Sequence, residues 1–148
     1  MNVQETEEFD ALEARIEQQG VPITNLLDAF RGLLLKLVEE SRFSTIPPAD
    51  LARIADYLRL PVDLLHSKQE EDREKVREDL WSFADANQAK NPDLYYLTRC
   101  LILIYGKLNE WDSAQDSPIF YCFLFLKRII SDIELEFVKY FNRVIFKM

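Results

Sequence analysis

The chain has 148 residues, of which 48% are hydrophobic and 30% charged, and its formal net charge is −8. This length and composition are typical of a single folded domain with its own core. The acidic balance argues against binding of DNA or RNA, whose phosphates are also negative. Three glycines are too few for Gly-rich phosphate loops or for the many tight turns of an all-β fold.

The charge is unevenly placed along the chain. Residues 1–91 hold 19 acidic and 11 basic side chains, a difference of −8, whereas residues 92–148 hold seven of each. The two cysteines, Cys100 and Cys122, stand in apolar runs and predict buried free thiols, which are typical of a reducing compartment. The first ten residues are acidic where a secretory signal would be basic and then apolar. These features predict a cytoplasmic protein.

Two helices are predicted first. Residues 4–19 place Phe9, Leu12 and Ile16 on one narrow stripe, and Gly20-Val21-Pro22 ends that helix. A second helix runs from about residue 24 or 25 to 41 with a broad apolar stripe that faces a core. Its apolar positions are Leu26, Leu27, Phe30, Leu33, Leu34, Leu37 and Val38. Gly32 on this helix weakens it slightly or lets another helix approach closely.

Prolines and caps delimit the middle of the chain. Pro47-Pro48 begins a third helix that Leu60-Pro61 ends, and a short turn or helix is expected over 62–66. Ser67 and Glu70 fit a capping box, which predicts a helix from there to about residue 88. The first half of that helix is almost entirely charged, with pairs such as Glu71–Lys75 and Lys75–Asp79 one turn apart.

The C-terminal part predicts the centre of the core. Asn91-Pro92 begins a helix over 92–111 that is apolar on nearly every side around residues 101–105. A polar loop then leads to Ser117-Pro118 and an apolar stretch over 118–146, with a bend or break near Ser131-Asp132. Residues 119–126 are all apolar, so a strand there is the alternative to a helix. A short connection predicts that the two helices pack antiparallel.

The fold predicted from these elements is an all-α, single-domain bundle of about six helices over residues 1–148. Residues 1–91 supply acidic amphipathic helices, and residues 92–148 supply a buried, aromatic-rich helix pair.

The sequence has only weak matches to catalytic, nucleic-acid-binding and metal-binding motifs. Arg59 and His66 have the spacing of the Arg and His in HEPN ribonucleases, but Leu60 and Pro61 between them depart from that pattern. Residues 51–65 resemble the closing helix of phage-repressor helix-turn-helix domains, although a Pro-rich loop precedes them and the surrounding charge is acidic. His66 has no ligand-spaced partners, and neither cysteine lies in a Cys-x-x-Cys pattern. We therefore predict no catalytic residue, cofactor or metal.

The function predicted by elimination is a non-enzymatic protein-binding module. The acidic excess favours an inhibitor or immunity-type protein that neutralises a basic toxin or nuclease, because complementary charge speeds association and rejects wrong partners. The predicted contacts lie on the charged helix that follows Ser67. They are Glu70, Glu71, Asp72, Glu74, Glu78 and Asp79.

Two other hypotheses for the function stay open. A homo-oligomeric adaptor or structural protein would use exposed aromatic residues such as Tyr121 or Phe125. A ligand-binding protein or enzyme would need a pocket among Tyr95, Tyr105 and Trp111. A basic stripe of Lys139, Arg143 and Lys147 is also available for an acidic partner or for a second copy of this chain.

Overall fold

The computed structural model describes residues 3–59, 70–106 and 118–147, with side chains from residue 7, residue 73 and residue 119 onward in these ranges. Seven helices and no strand occur in this part of the chain. They are α1 Val3–Gln19, α2 Ile23–Glu39, α3 Pro48–Leu58, α4 Glu70–Asn87, α5 Pro92–Ile104, α6 Pro118–Ile129 and α7 Glu134–Phe146. The all-α bundle is therefore confirmed, and residues 119–126 form a helix.

Local chemistry explains where the helices begin and end. Gly20 has a φ of +59°, a left-handed conformation that glycine adopts without strain, and it follows the last residue of α1. Pro48 stands at the start of α3, where its missing N–H is not needed. Asn91 caps α5, as its side-chain oxygen accepts a hydrogen bond of 3.2 Å from the Leu94 amide.

Helix α2 shares the centre of the molecule with the C-terminal pair. It contacts α3, α5, α6 and α7. Four of its side chains, Phe30, Leu33, Leu34 and Leu37, are completely buried. The predicted pairing of the C-terminal helices is confirmed, because α5 packs against α6. The core cluster draws apolar side chains from all seven of these helices.

The long C-terminal stretch breaks where the sequence predicted. Helix α6 ends at Ile129, and α7 begins at Glu134 after a turn in which Ser131 and Asp132 are exposed. Glu134 is fully buried at the first turn of α7, and Lys127 Nζ lies 3.9 Å from its Oε1. A carboxylate at a helix N-terminus also has a favourable interaction with the helix dipole.

Helices α1 and α7 pack together and close the bundle. The Phe9 ring stacks on Phe123 at 4.3 Å between ring centres and lies 5.9 Å from Phe137. Phe137 in turn stacks on Phe141 at 4.5 Å. This aromatic row joins the first described helix to the last two.

Some predictions fall outside the described part of the chain. These are the turn over 62–66 with His66, the capping box at Ser67, and the loop before Pro118 with Trp111. The helix predicted over 92–111 ends at Ile104 with Tyr105 as its C-cap, and nothing beyond residue 106 is described before residue 118. Among the helices described, none has the length and apolar character needed to cross a membrane.

Candidate protein-binding surface

The predicted acidic contacts lie on α4, which packs against α5. The inner face of α4 carries Leu80, Phe83 and Ala84, all of which are buried. Glu78 and Asp79 are exposed and Glu74 is half-buried. The backbone of Glu70, Glu71 and Asp72 forms the first turn of the helix, but their side chains lie outside the described set.

Most of the described acids on α4 have no ion pair with another described residue. Glu74 has an ion pair with Arg77, whose Nη1 lies 3.7 Å from Oε1. Among the described residues, no ion pair involves Glu78 or Asp79, so the predicted Lys75–Asp79 pair is not formed there. The charge of these carboxylates therefore faces solvent.

Asp85 is a surface acid that the sequence reasoning missed. It is exposed and stands seven residues after Glu78, which places both on the same face of the helix. We call Glu74, Glu78 and Asp85 the acidic ridge. Asp85 lies beyond the dense run of charge at the start of α4, but its spacing of seven residues from Glu78 is a sequence signal that could have found it.

Trp81 borders the acidic ridge. It follows Glu78 by three residues and precedes Asp85 by four, and it remains 37% exposed. The guanidinium carbon of Arg99, from α5, lies 4.8 Å from the centre of the Trp81 ring. A large aromatic side chain that is held by a cation–π contact and still exposed is suited to anchor a partner.

Arg99 is the centre of a wider cluster across α4, α5 and α6. Its guanidinium carbon lies 5.0 Å from the Phe125 ring centre and 5.8 Å from that of Tyr95, and its Nη1 donates a hydrogen bond of 2.9 Å to the Tyr95 hydroxyl. The Tyr96 ring stacks on Phe125 at 6.0 Å and on its other side meets Arg128, 5.3 Å away. We call this set the aromatic–arginine patch. Its members are Trp81, Tyr95, Tyr96, Arg99, Phe125 and Arg128.

The outward face of α6 extends the aromatic–arginine patch with apolar side chains. Tyr121 is 36% exposed and Leu124 is 40% exposed, while Phe125 is partly buried. Of Tyr121 and Phe125, the two aromatic residues that the sequence suggested for an interface, Tyr121 is thus the more exposed to solvent.

The predicted basic stripe lies elsewhere, on α7. Lys139 and Arg143 line a cleft of about 310 Å³ together with Lys36, Glu136 and Tyr140. Lys147 is exposed but does not line this cleft. Two of the three residues of the stripe therefore lie at a cleft with Lys36 of α2, and a carboxylate partly offsets the positive charge there.

Glu136 is the carboxylate that neutralises the cleft. Arg42 Nη1 donates to it at 2.7 Å, and Lys36 Nζ lies 3.4 Å from its other oxygen. Partial burial opposes ionisation, but the hydrogen bonds and charges of Arg42 and Lys36 outweigh it and lower the pKa of Glu136.

The described residues that the sequence suggested for a ligand pocket, Tyr95 and Tyr105, do not line a common pocket in the structure. Tyr105 is 1% exposed, and its hydroxyl donates a hydrogen bond of 2.6 Å to the Tyr57 carbonyl. Tyr95 belongs to the Arg99 cluster, and Trp111 lies outside the described residues. The aromatic residues of this part of the chain serve the core and the surface patch.

The two cysteine thiols lie in the core. Cys100 and Cys122 are buried and free, as predicted, and burial raises the pKa of both thiols so that their nucleophilic thiolates are disfavoured. Within the described ranges, no group of three or more His, Cys, Asp or Glu side chains is arranged to hold a metal ion.

Comparisons of the chain with protein-family models, with curated proteins and with solved structures found no match.

Proposed function

We propose that this chain is a protein-binding module that docks a basic protein on the acidic ridge of α4. The partner class is a basic toxin or nuclease, and the role is that of an inhibitor or immunity-type protein. The observation that carries the proposal is the outward row of carboxylates at Glu74, Glu78 and Asp85, two of which have no ion pair among the described residues.

Physical chemistry supports a basic partner for this surface. The exposed carboxylates of Glu78 and Asp85, which have no ion pair among the described residues, attract a cationic surface and raise the rate of encounter. Trp81 adds a large apolar contact beside the charges, and tryptophan is enriched among residues that dominate binding energy. Charge then supplies speed and selectivity, and the aromatic ring supplies contact area.

The test is affinity capture with charge-reversed variants of the full chain. Glu78→Arg with Asp85→Arg reverses two charges on the acidic ridge, and Asp10→Arg with Glu17→Arg makes the same net change on exposed positions of α1. Each tagged chain is incubated with extract of the source cell, washed at low and high salt, and analysed by mass spectrometry. We expect wild type and the α1 control to retain one basic protein that high salt weakens, whereas the ridge variant loses it.

Equal retention by the ridge variant and the α1 control would rule out the acidic ridge as the binding surface. A candidate partner is then purified and its affinity measured directly. Because salt screens exposed charges over about 8 Å at physiological ionic strength, true ridge binding weakens steadily as salt rises.

A further inference from the structure

From Ile119 to Leu126, helix α6 is apolar on both of its faces. Its inward face buries Ile119, Cys122, Phe123 and Leu126 in the core. Its outward face presents Tyr121 and Leu124 to solvent, flanked by the partly buried Phe125. A surface helix normally carries polar residues on its outer face, and a helix that is apolar all round is normally covered on both sides. The outward face of α6 therefore has the composition of a surface that a protein partner covers.

The surroundings of this face have opposite charges on opposite sides. Trp81 connects the aromatic–arginine patch to the acidic ridge, because it contacts Arg99 and stands one turn from both Glu78 and Asp85. Arg128 is exposed and follows Leu124 on α6 by four residues. From the acidic ridge, contacts run through Trp81, Arg99 and Phe125 to Tyr96 and Arg128, so carboxylates lie at one end of this surface and an exposed guanidinium group lies at the other.

A surface with this order of charge is complementary to itself. When two copies meet about a two-fold axis through the apolar middle, each negative side lies opposite the positive side of the other copy. Trp81, Tyr121 and Leu124 of the two copies then shield one another from water. A basic partner bound at the acidic ridge alone would leave the outward face of α6 uncovered.

We propose that the outward face of α6 is covered by a second copy of this chain in an isologous dimer. In it the acidic ridge of each copy lies against Arg128 of the other, and Trp81, Tyr121 and Leu124 form the apolar centre. This inference goes beyond the proposed function and is tested on the purified chain alone. Since both assemblies use the acidic ridge, a bound basic protein and the second copy exclude each other there.

The decisive experiment mixes two charge-reversed variants. One carries Glu78→Arg with Asp85→Arg, and the other carries Arg128→Glu. In the dimer each variant alone places like charges against each other, so its self-association should weaken by about tenfold or more. Mixed together, the first variant is positive on both sides and the second is negative on both sides. The mixture should therefore form a heterodimer, which sedimentation equilibrium and light scattering detect by mass.

The controls separate this geometry from non-specific association. The α1 variant Asp10→Arg with Glu17→Arg should dimerise like wild type, and circular dichroism checks that every variant keeps its helices. Leu124→Ser removes apolar contact at an exposed site without changing charge, and it should also weaken the dimer. It therefore tests the same interface if a charge-reversed variant fails to fold.

Three results would overturn the dimer. The first is a wild-type chain that is monomeric at its highest soluble concentration, which would leave the proposed function standing. The second is wild-type dimerisation that neither charge reversal nor Leu124→Ser affects, which would place the interface elsewhere. The third is failure of the two reversed variants to associate when they are mixed.

Discussion

Tyr105 has both a polar and an apolar role in the core. Its ring is 1% exposed, and its hydroxyl donates to the Tyr57 carbonyl, which joins the end of α5 to α3. Burial raises the pKa of the Tyr105 hydroxyl to about 12, because the phenolate is poorly solvated there; the Arg31 charge opposes this and the neighbouring Tyr57 adds to it. The hydroxyl is therefore held in its protonated, donating form.

Removing this hydroxyl tests its contribution to stability. Tyr105→Phe leaves the Tyr57 carbonyl without its side-chain donor, and we expect a loss of about 1 to 2 kcal/mol in the free energy of unfolding, measured with urea. The native pKa lies above the ordinary value of 10.0, so the stabilisation is complete below pH 10 and is lost as pH rises toward about 12. That alkaline decline should shrink in the variant.

Tyr96→Phe is the matched control for Tyr105→Phe. The hydroxyl of Tyr96 accepts a hydrogen bond of 3.3 Å from Arg128 at an exposed position, so its loss should change stability by less than about 0.5 kcal/mol. A similar cost for both variants would contradict a special role for the buried tyrosine.

At the scale of elements, α2 and α7 pack closely at Gly32. A Cβ atom added to Gly32 would collide with the hydroxyl oxygen of Tyr140, whereas the ring carbon that bears this hydroxyl would be 3.6 Å away, an ordinary contact. Of the two interpretations that the sequence left for Gly32, a slightly weakened helix or a close approach of another helix, this contact with a side chain of α7 agrees with the second. The steric conflict therefore concerns one oxygen atom, which makes it separable by mutation.

Gly32→Ala is expected to have opposite effects in two backgrounds. In wild type the collision should outweigh the better helix propensity of alanine and cost about 1 kcal/mol. In a Tyr140→Phe background the oxygen is gone, and the same substitution should be neutral or stabilising by up to about 1 kcal/mol. Urea unfolding of the four proteins completes a double-mutant cycle, and purely additive effects would show that the hydroxyl does not limit the packing.

Elements with local signals were predictable from the sequence. The stripe of α2, the Asn91-Pro92 start of α5 and the break near Ser131 depend on periodicity and capping within a few residues of the chain. The helical state of 119–126 was left open, because eight apolar residues in a row carry no period. The contacts of residues 119–126 with the rest of the folded core determine that they form a helix.

The surface depended on packing that no local pattern encodes. Arg99 on α5 meets Trp81 on α4 and Phe125 on α6 because three helices converge. The sequence predicted that the acidic residues share one helix, and those whose side chains are described do lie on α4. It did not show the aromatic–arginine patch beside them.

At the scale of the molecule, Glu136 ties distant parts of the chain together. Its partners Lys36 and Arg42 are separated from it by 100 and 94 residues. The lowered pKa of Glu136 means that the ionised carboxylate stabilises the fold. That stabilisation is present above the ordinary pKa of 4.5 and is lost as pH falls through the lower native pKa.

Glu136→Gln should remove this part of the acid sensitivity. Because the groups are partly exposed, we expect a loss near pH 7 of no more than about 1 kcal/mol, and a smaller further loss on acidification than in wild type. Glu40→Gln is the control, since Glu40 contacts the same Lys36 at 3.4 Å but only one turn away on the same segment. If both variants respond alike to pH, the long-range pair has no special effect.

The contact between α1 and α7 has a consequence for synthesis in the cell. Arg15 lies 4.2 Å from the Phe146 ring centre, so the first described helix completes its packing against nearly the last described residues. While α7 is still inside the ribosomal exit tunnel, the apolar stripe of α1 lacks its contact with Phe137 and is incompletely covered. We therefore expect α1 to complete its packing only after α7 has been translated.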